Sequence, residues 1–516
     1  LGLLKVDVLG LGMLSAIRRS FDLIDRYRGI RHTIASVPAE DSRVYDMVGQ
    51  GDTLGVFQIE SRAQMAMLPR MRPRRFYDLV IEVAIVRPGP IQGDMVHPYL
   101  RRRNGEEAVN YPSEAVRDVL ARTLGVPIFQ EQVMHLAMVA AGFTAGQADQ
   151  LRRAMAAWKR RGGLGPFESL LLDGMRERGY TDDFAQRIFS QIKGFGEYGF
   201  PESHAASFAL LVYVSAWLKR FEPAAFFGAL INSQPMGFYA PAQLVAGARR
   251  AGVDVRPVDV VHSDWDCTLE RGADDEPALR LGLRQIKGLS EEAGERVVHL
   301  RRARSARPER PFDSVNELAH VASLTRGDLE ALAGGDALSS LSGHRHRARW
   351  QVTGVEQETP LFGGVDIKEA TPMLKKPRPG QDVINDYHYL GLSLKHHPMA
   401  LLRARLTEEE ICSAADIQVL PDGAWIRTAG LVITRQRPGT ASGVTFVTLE
   451  DETGHSNLVV WRKIAEKQRK PLLRSRLMAA RGQVQRQGGV IHLVVRQMTD
   501  LSHWLNGLEP RSRNFH

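Results

Sequence analysis

Residues 426–460 read IRTAGLVITRQRPGTASGVTFVTLEDETGHSNLVV and alternate apolar with polar side chains. This period of two is typical of β-strands that bury one face, and it continues to about residue 500. Turn-forming residues separate the apolar runs at PGTASG (438–443), DETG (451–454) and RQGG (486–489). We therefore expect a small antiparallel β-barrel over residues 425–500.

The chain before this barrel is predicted to be mostly helical. A strand and a Gly-rich turn over residues 1–13 precede a helix over 14–28, and apolar positions at helical spacing dominate from about 50 to 235. Between 350 and 390 the composition shifts to proline, glycine and charge, as in KKPRPGQD at 375–382, which is typical of a linker. The predicted fold class is multidomain α+β.

Length and composition exclude several classes of protein. The 516 residues suffice for about three to five domains, and 43% hydrophobic with 25% charged residues excludes disorder, collagen and small disulfide scaffolds. Two distant cysteines, Cys267 and Cys412, exclude a disulfide framework and a zinc site built on cysteines, and favour the cytoplasm. No apolar run reaches about 18 residues, so no membrane-spanning helix is expected. Because the chain starts at Leu1, we expect a fragment without its N-terminal part.

The positive charge is concentrated towards the C-terminus. The chain has 68 Lys and Arg against 59 Asp and Glu, a net charge of +9. From Trp461 onwards there are 12 basic and three acidic residues, which alone gives +9, so the preceding 460 residues are balanced. A basic module on a neutral body favours a polyanionic partner such as nucleic acid, and a solvated basic surface is the alternative.

An aspartate stands in the middle of the apolar strand that opens the chain. Asp7 lies in LLKVDVL (3–9), where burying a carboxylate is costly unless a partner compensates its charge. Mg²⁺ prefers such oxygen ligands, and Lys5, two residues away, projects from the same strand face. The pair indicates a phosphate-transfer site with Asp7 on a metal and Lys5 near a phosphate. The alternative is a structural Lys–Asp ion pair on an exposed edge strand.

A two-metal phosphate-transfer site needs more than one carboxylate. Asp264 and Asp266 flank Trp265, and in a strand this spacing would put both carboxylates on one face. No apolar strand surrounds them, so the favoured interpretation is a surface turn in which the carboxylate bonds local backbone.

A basic helix is predicted around LRRAM (151–155). Arg152 and Lys159 are seven residues apart and share a helix face, with Arg153 beside them. Guanidinium groups make bidentate contacts with phosphate oxygens, so this face could hold a triphosphate. A solvated basic face is the alternative.

Glycines, aromatics and a Ser-His pair precede the long apolar helix that starts near residue 204. We predict Ser203 as the N-cap of this helix, whose N-terminus would favour an anion beside His204. A hydrolase pair is disfavoured because adjacent residues rarely face one another.

Ile286-Lys287-Gly288-Leu289 has the pattern of a helix-hairpin-helix turn. Backbone N–H groups of such a turn reach a DNA phosphate, and the glycine allows close approach. A weaker echo occurs at LTRGDL (324–329), and plain helical turns are the alternative.

Aromatic residues stand among basic residues in the predicted barrel, namely Phe446, Trp461 and His492. OB-folds bind single strands by stacking bases on aromatic side chains beside a basic groove. In the alternative interpretation these aromatics fill the barrel core.

Four further stretches of the chain are distinctive when taken together with LRRAM (151–155). In chain order they are GVFQIESRAQM (55–65), VRPGPIQGDMV (86–96), FQEQVMHLA (129–137) and YGFPESHAASFA (198–209). With LRRAM they resemble successive fingers motifs of the bacterial C-family DNA polymerases, the DNA polymerase III alpha subunit and its error-prone paralogue. LLKVDVLGLGML (3–14) resembles the last palm motif of that family. The resemblance covers essentially the whole chain.

The resemblance implies a domain order. The expected domains are the end of the palm at 1–50, fingers at 51–250, a helix-hairpin-helix region at 251–349, a linker with a small α/β segment at 350–420, an OB-fold at 421–503 and a tail at 504–516.

The resemblance also implies roles for individual residues. Asp7 would be the third catalytic metal carboxylate of a two-Mg²⁺ site, and the PHP domain and the other two aspartates would lie upstream of Leu1. Asp264 and Asp266 would have no catalytic role.

For the incoming nucleotide, the resemblance implies that Arg152 and Arg153 contact the triphosphate. Lys5, Ser203 and His204 carry over less directly as nucleotide-binding residues.

The error-prone branch fits better than the replicative one, because KVDVLGLGML (5–14) and SDWDCTLE (263–270) resemble it. The implied activity is template-directed DNA synthesis in translesion repair, with primer-template DNA and deoxynucleotides as partners. A replicative alpha subunit and a non-catalytic DNA-binding fragment are the alternatives. The sliding clamp is a further expected partner, directly or through other translesion proteins, with Gln357 and ETPLF (358–362) as a candidate docking peptide.

Overall fold

The computed structural model describes residues 9–85, 96–161, 165–195, 201–237, 239–304, 310–355, 372–437, 443–487, 490–505 and 513–515. The chain divides into two compact units, one formed by residues 36–220 and the other by residues 1–35 together with 221–516. Within the described ranges, none of the helices combines the length and hydropathy needed to cross a bilayer.

The second unit begins with a helix that the sequence predicts well. α1 spans Leu11–Arg28, three residues longer at its start than expected, and ends where Gly29 adopts a left-handed conformation. Its buried face includes Ile17 and Ile24, which lie two turns apart on one side. An amphipathic helix of this kind is stabilised mainly by packing.

The unit of residues 36–220 is α-helical, in agreement with the predicted helical fingers. Its core packs Val133, Leu136, Leu151 and Met175 from successive helices, all of them buried. The helices are α2 Ser42–Gly49, α3 Arg62–Met71, α4 Phe76–Ile85, α5 Val96–Arg103, α6 Glu114–Leu120, α7 Gln130–Ala141, α8 Ala145–Arg161, α9 Gly165–Glu177, α10 Asp182–Phe195 and α11 Glu202–Phe221.

The chain then continues the other unit with two helices and a small sheet. The helices are α12 Pro223–Asn232 and α13 Pro241–Arg250, and the strands are β1 Val255–Arg256, β2 Thr268–Arg271 and β3 Pro277–Arg280. β3 is the central strand, parallel to β1 and antiparallel to β2.

Short helices joined by tight turns follow the sheet, as the helix-hairpin-helix prediction requires. They are a 3-10 helix at Leu283–Gln285, α14 Glu291–Ala303, α15 Val315–Val321, α16 Arg326–Gly334, α17 Ser339–Ser342 and α18 Arg345–Thr353. Side chains of Ser290, Ser314 and Thr325 accept hydrogen bonds from the first turns of α14, α15 and α16. Such N-caps satisfy N–H groups that would otherwise lack partners.

Part of the predicted linker is structured. Pro379 is the first residue of α19 (Pro379–Tyr389), a position that proline favours because the first helical N–H needs no partner. Arg345 of α18 has a fully buried side chain that forms ion pairs with Asp382 and Asp386 of α19. We call these three residues the α18–α19 clasp. The prediction of a linker through 375–382 is therefore wrong at its end, whereas residues 356–371 lie outside the described part.

The predicted barrel is present and closed. Its strands run in the order β5-β6-β8-β7-β4, and β4 pairs with β5 to close the cylinder. β6 and β8 are parallel, which is the arrangement of a five-stranded OB-fold. The barrel is preceded by a 3-10 helix at Pro398–Leu402, by α20 Arg403–Glu408 and by α21 Ala414–Val419. The barrel elements are β4 Trp425–Gln436, β5 Thr445–Asp451, β6 Gly454–Val460, α22 Arg462–Lys467, α23 Arg469–Arg474, β7 Leu477–Gln487 and β8 Val490–Asp500, with β9 Arg513–Phe515 parallel to β4.

Candidate nucleic-acid and nucleotide interface

Arg152 and Arg153 lie side by side on α8 and share one carboxylate. Asp149 accepts hydrogen bonds from Nε and Nη2 of Arg152 at 3.0 and 2.8 Å, and its other oxygen lies 2.8 Å from Nη2 of Arg153. The hydrogen bond from Arg152 holds the pKa of the Asp149 carboxyl below its ordinary value. The Arg152 side chain is 39% exposed and that of Arg153 is 74% exposed. The three groups thus present one net positive charge to solvent, where a phosphate can compete with Asp149.

The start of α11 differs from the prediction. The helix begins at Glu202, and the Pro201 carbonyl accepts the first helical hydrogen bond, from Ala205 N–H. Ser203 is therefore inside the first turn, and its prediction as the N-cap is wrong. The sequence predicts an anion at the N-terminus of this helix, and the Glu131 carboxylate takes that position. Its Oε2 accepts the Glu202 N–H at 2.9 Å. A carboxylate in this position is stabilised by the helix dipole.

The Glu202 side chain connects the start of α11 to two other segments. Its Oε1 accepts a hydrogen bond from the Tyr77 hydroxyl at 2.8 Å and lies 3.1 Å from Nη1 of Arg122. The Arg122 guanidinium also stacks on the Tyr77 ring, 3.9 Å from its centroid. Burial and the hydrogen bond to Glu202 raise the pKa of Tyr77, so the phenol remains protonated. These contacts fix the α11 start relative to α4 and to the turn after α6.

His204 belongs to a row of three aromatic rings. Its ring centroid lies 4.2 Å from that of Phe208, and the Phe208 ring meets Phe57 edge-on at 5.2 Å. The backbone N–H of Phe57 donates to Oγ of Ser215 at 3.1 Å. Phe57 therefore packs against Phe208 of α11, although the two residues are more than a hundred positions apart in sequence.

Asp264 and Asp266 form structural ion pairs. Each carboxylate binds two arginines: Asp264 pairs with Arg301 and Arg302, and Asp266 pairs with Arg19 and Arg284. The predicted local backbone contact of Asp264 is replaced by these longer-range partners. The arrangement agrees with the expectation that neither aspartate is catalytic.

The first predicted hairpin has the backbone conformation that its glycine requires. Gly288 has a φ of +91°, and Ile286 and Leu289 on either side are 2% and 8% exposed. The Lys287 N–H donates to the Tyr389 carbonyl at 2.8 Å, and Nζ lies 3.1 and 3.3 Å from two further carbonyls at the end of α19. Lys287 thus joins the hairpin to α19, so a phosphate contact at this turn would use neighbouring groups.

The two predicted hairpins are joined by one carboxylate. Oδ2 of Asp328 accepts hydrogen bonds from the N–H and hydroxyl of Thr325 at 3.1 and 2.6 Å, which caps α16. Its Oδ1 lies 3.3 Å from the Ser290 hydroxyl, at the start of α14. The hairpin turns therefore lie side by side, as a tandem helix-hairpin-helix module requires.

The barrel aromatics face outwards or lie at its margin. Phe446 is half-buried and stands opposite Val459 in the β5–β6 ladder. Trp461 directly follows β6 and is 53% exposed, and His492 is half-buried on β8. Exposure of Trp461 favours its interpretation as a contact residue over a core role.

The predicted metal site falls on residues outside the described part of the chain. Asp7 and Lys5 lie outside the described residues, and the Lys159 side chain does too. In the part of the chain that the structure describes, no group of three or more His, Cys, Asp or Glu residues could hold a metal ion.

Comparison with protein families identifies the modules. Residues 13–179 match the finger domain of the bacterial DNA polymerase III alpha subunit, residues 252–348 match a helix-hairpin-helix motif and residues 426–501 match an OB-fold nucleic acid binding domain. The chain is also 64% identical over 516 residues to a protein of Alkalilimnicola ehrlichii called error-prone DNA polymerase. The chain belongs to the DNA polymerase III alpha subunit family.

Relatives of the same name occur in other bacteria. Proteins of Methylococcus capsulatus and Pseudomonas aeruginosa, both called error-prone DNA polymerase, are each 58% identical to this chain across its full length. The chain spans about half the length of these relatives, since each match covers 50% of the relative. The family resemblance inferred from the motifs is confirmed, and the names agree with the error-prone branch.

Two residues of the interface were missed in the sequence. Asp149 stands three residues before Arg152, and this helical spacing predicts an ion pair. The sequence therefore contained the information needed to predict this contact. Glu131 lies 71 residues before Glu202, and no local pattern connects them.

Proposed function

We propose that this chain is part of a template-directed DNA polymerase that performs error-prone translesion synthesis. The observation that carries the proposal is the 56–64% identity, along the whole chain, to relatives called error-prone DNA polymerase. Fingers, a tandem helix-hairpin-helix module and an OB-fold in one chain support it, because synthesis needs nucleotide, duplex and template contacts. The protein would act in the bacterial cytoplasm.

Nucleotide binding is proposed for the fingers. The solvent-facing Arg152 and Arg153, held by Asp149, would bind the triphosphate through bidentate contacts. His204 and Ser203 would line the same nucleotide site, with His204 oriented by its ring contact with Phe208.

The metal chemistry is proposed from the family alone. Asp7 would bind Mg²⁺ together with carboxylates outside this chain, and Lys5 would lie near the primer or a phosphate. Magnesium supplies charge stabilisation for phosphoryl transfer when bound.

DNA contacts are proposed for two modules. The hairpin turn at Gly288 would contact a duplex phosphate through groups beside Lys287, because Lys287 itself is bonded to the end of α19. Phe446 with Trp461 would contact the template strand. The sliding clamp remains a proposed partner, and its candidate peptide with Gln357 lies outside the described residues.

Primer extension tests the enzymatic proposal. The chain extended upstream to the length of its relatives should incorporate deoxynucleotides, and Asp7→Ala should abolish incorporation. Asp46→Ala, at an exposed position of α2, is the control and should leave the rate unchanged. Undiminished incorporation by Asp7→Ala would refute the catalytic assignment.

A second candidate follows from the coverage of the relatives. Because the chain spans about half of their length, the chain by itself would be a non-catalytic DNA-binding segment. In that case the 516-residue chain binds primer-template without extending it, and so does the upstream-extended form. Extension by the longer form alone favours the polymerase.

A further inference from the structure

Residues 264–266, the sequence Asp-Trp-Asp, lie against the segment that leads into the first hairpin, and we call them the DWD bracket. The Leu283 N–H donates to the Asp264 carbonyl at 2.9 Å, and the Arg284 N–H donates to the Trp265 carbonyl at 3.1 Å. Both donors belong to the 3-10 helix that precedes the hairpin turn. The backbone of the bracket is therefore fixed to the start of the helix-hairpin-helix module.

The two carboxylates of the bracket hold different elements. Asp264 pairs with two arginines of α14, which lies within the hairpin module. Asp266 instead spans two modules, with one oxygen 2.7 Å from Nη1 of Arg19 on α1 and the other 2.5 Å from Nη1 of Arg284. Of the two carboxylates, Asp266 is thus the one that connects α1 with the approach to the hairpin.

α1 is packed closely onto the elements beside the bracket. At Gly228 of α12, an added Cβ would lie 3.5 Å from Cδ1 of Leu23 on α1 and only 2.8 Å from Cδ1 of Leu279 on β3. Asn232, at the end of α12, donates to the Cys267 carbonyl at 3.0 Å and accepts from the Cys267 N–H at 2.7 Å. The position of α1 is therefore tied to the chain that leaves the bracket.

The elements on either side of Asp266 lead to two different proposed sites. α1 begins at Leu11, four residues after Asp7, the proposed metal ligand. Arg284 stands four residues before Gly288, whose turn is proposed to contact a duplex phosphate. Polymerisation requires the primer end, held through its duplex, to meet the metal-binding segment in register. A misplacement of about 1 Å at a reacting centre is enough to lower a rate by about 100-fold.

We infer that Asp266 is a positioning residue that sets α1 relative to the duplex-binding hairpin. Its charge holds Arg19 and Arg284 together, and without that charge the two guanidinium groups repel one another. The repulsion would move α1, and with it the segment that carries Asp7, away from the register fixed by the duplex. This inference rests on the proposed polymerase function and identifies one contact through which the duplex is aligned for synthesis.

Single-turnover primer extension by the upstream-extended chain tests the inference. Asp266→Asn should lower the rate constant of incorporation roughly 3- to 30-fold, because alignment is lost. The Kd for primer-template and the KM for deoxynucleotides should stay within about twofold, since the groups proposed to bind them are unchanged. A general loss of folded protein would instead lower the active fraction without changing the rate constant.

A second substitution separates the lost link from the repulsion. Arg19→Ala removes the link to α1 but leaves Asp266 paired with Arg284, so its rate should fall less than that of Asp266→Asn. In the double variant the repulsion has no partner on α1. The double variant should therefore be faster than Asp266→Asn alone, which is a non-additive result expected only for groups that interact.

Two matched variants serve as controls. Asp264→Asn neutralises the other carboxylate of the bracket, whose side chain is 25% exposed against 39% for Asp266. It should lower the thermal midpoint at least as much as Asp266→Asn does, yet keep the incorporation rate within about twofold. Arg26→Ala removes an exposed guanidinium seven residues after Arg19 on α1, and should also keep the rate within about twofold.

The outcomes distinguish this inference from the proposed function. An unchanged rate in Asp266→Asn would overturn the inference and leave the polymerase proposal standing. Equal losses of rate in Asp264→Asn and Asp266→Asn, or a double variant slower than either single variant, would also overturn it, because general destabilisation would then explain the effect. An upstream-extended chain that incorporates no nucleotide would contradict the proposed function, and the inference with it.

Discussion

Asp149 binds Arg152 through two hydrogen bonds, at 3.0 and 2.8 Å, within one turn of α8. The same carboxylate reaches Arg153 with its other oxygen. The pair of guanidinium groups is thereby held together on a solvent-facing surface despite their mutual repulsion. A phosphate group could take the place of Asp149, since its several oxygens can accept from both guanidinium groups and carry more negative charge.

Removing the guanidinium of Arg152 should impair nucleotide binding in the upstream-extended polymerase. Arg152→Ala should raise KM for deoxynucleotides about tenfold or more, because a charge-assisted bidentate contact contributes about 1.5–3 kcal/mol. Asp149→Asn retains both arginines and should change KM much less. Steady-state primer extension measures KM for deoxynucleotides in both variants. An unchanged KM in Arg152→Ala would mean that this arginine does not contact the triphosphate.

The Glu131 carboxylate, which accepts the N–H of Glu202 at the start of α11, should stabilise the unit of residues 36–220. Glu131→Gln removes the charge that faces the Glu202 N–H and should lower the free energy of unfolding by about 0.5–2 kcal/mol. Urea denaturation followed by circular dichroism measures this change. Glu177→Gln, at an exposed position near the end of α9, is the control and should stay within about 0.5 kcal/mol. Equal effects of the two substitutions would contradict the role of Glu131.

Asp328 should make the hairpin module sensitive to acid. Partial burial raises the pKa of its carboxyl, but hydrogen bonds from Thr325 and Ser290 outweigh this effect and lower the pKa overall. The ionised Asp328 carboxylate therefore stabilises the folded module above the unfolded-state pKa of about 3.9. This stabilisation is lost as the pH falls through the lower folded-state pKa.

Asp328→Asn should accordingly cost about 1–3 kcal/mol at pH 7, and the cost should shrink below about pH 4. Urea midpoints at several pH values, with Glu295→Gln on α14 as the control, measure the difference. A cost that is the same at neutral and acid pH would show that the ionised form of Asp328 is not what stabilises the module.

The effect of Glu82 on stability should depend on pH in the opposite direction to that of Asp328. Both its oxygens are buried in α4 without a hydrogen-bond partner among the described residues, and burial raises the pKa of the carboxyl to about 8. The folded state thus keeps a proton that the unfolded chain releases, so stability falls as the pH rises from about 4.5 to about 8. Relative to the unchanged chain, Glu82→Gln should gain roughly 2–4 kcal/mol between pH 5 and pH 8. Parallel stability curves for the two proteins would contradict the raised pKa.

Local patterns in the sequence predicted the elements well. The barrel was recognisable because one face of each strand packs inwards, which imposes the alternation seen from 425 to 500. The hairpin glycine was recognisable because Gly288 adopts a positive φ that other residues disfavour. Each of these signals is formed by residues that are close to one another along the chain.

Contacts between distant residues account for the wrong predictions. Ser203 was expected to cap α11, but the helix starts earlier, at Glu202, whose backbone and side chain are held by Glu131 and Tyr77. The stretch around Pro379 has the composition of a linker, yet it begins a helix because Arg345 needs two carboxylates in the interior. Neither partner is visible in the local composition.

The α18–α19 clasp has a practical consequence for protein engineering. A buried guanidinium held by two carboxylates keeps α18 and α19 together, although the chain between them runs from Val355 to Pro372 through residues outside the described part. Covalent continuity over that stretch is thus not what keeps the two helices associated. If the gene is divided within this stretch, outside the candidate docking peptide at 357–362, the two co-expressed halves are expected to reassemble through the clasp.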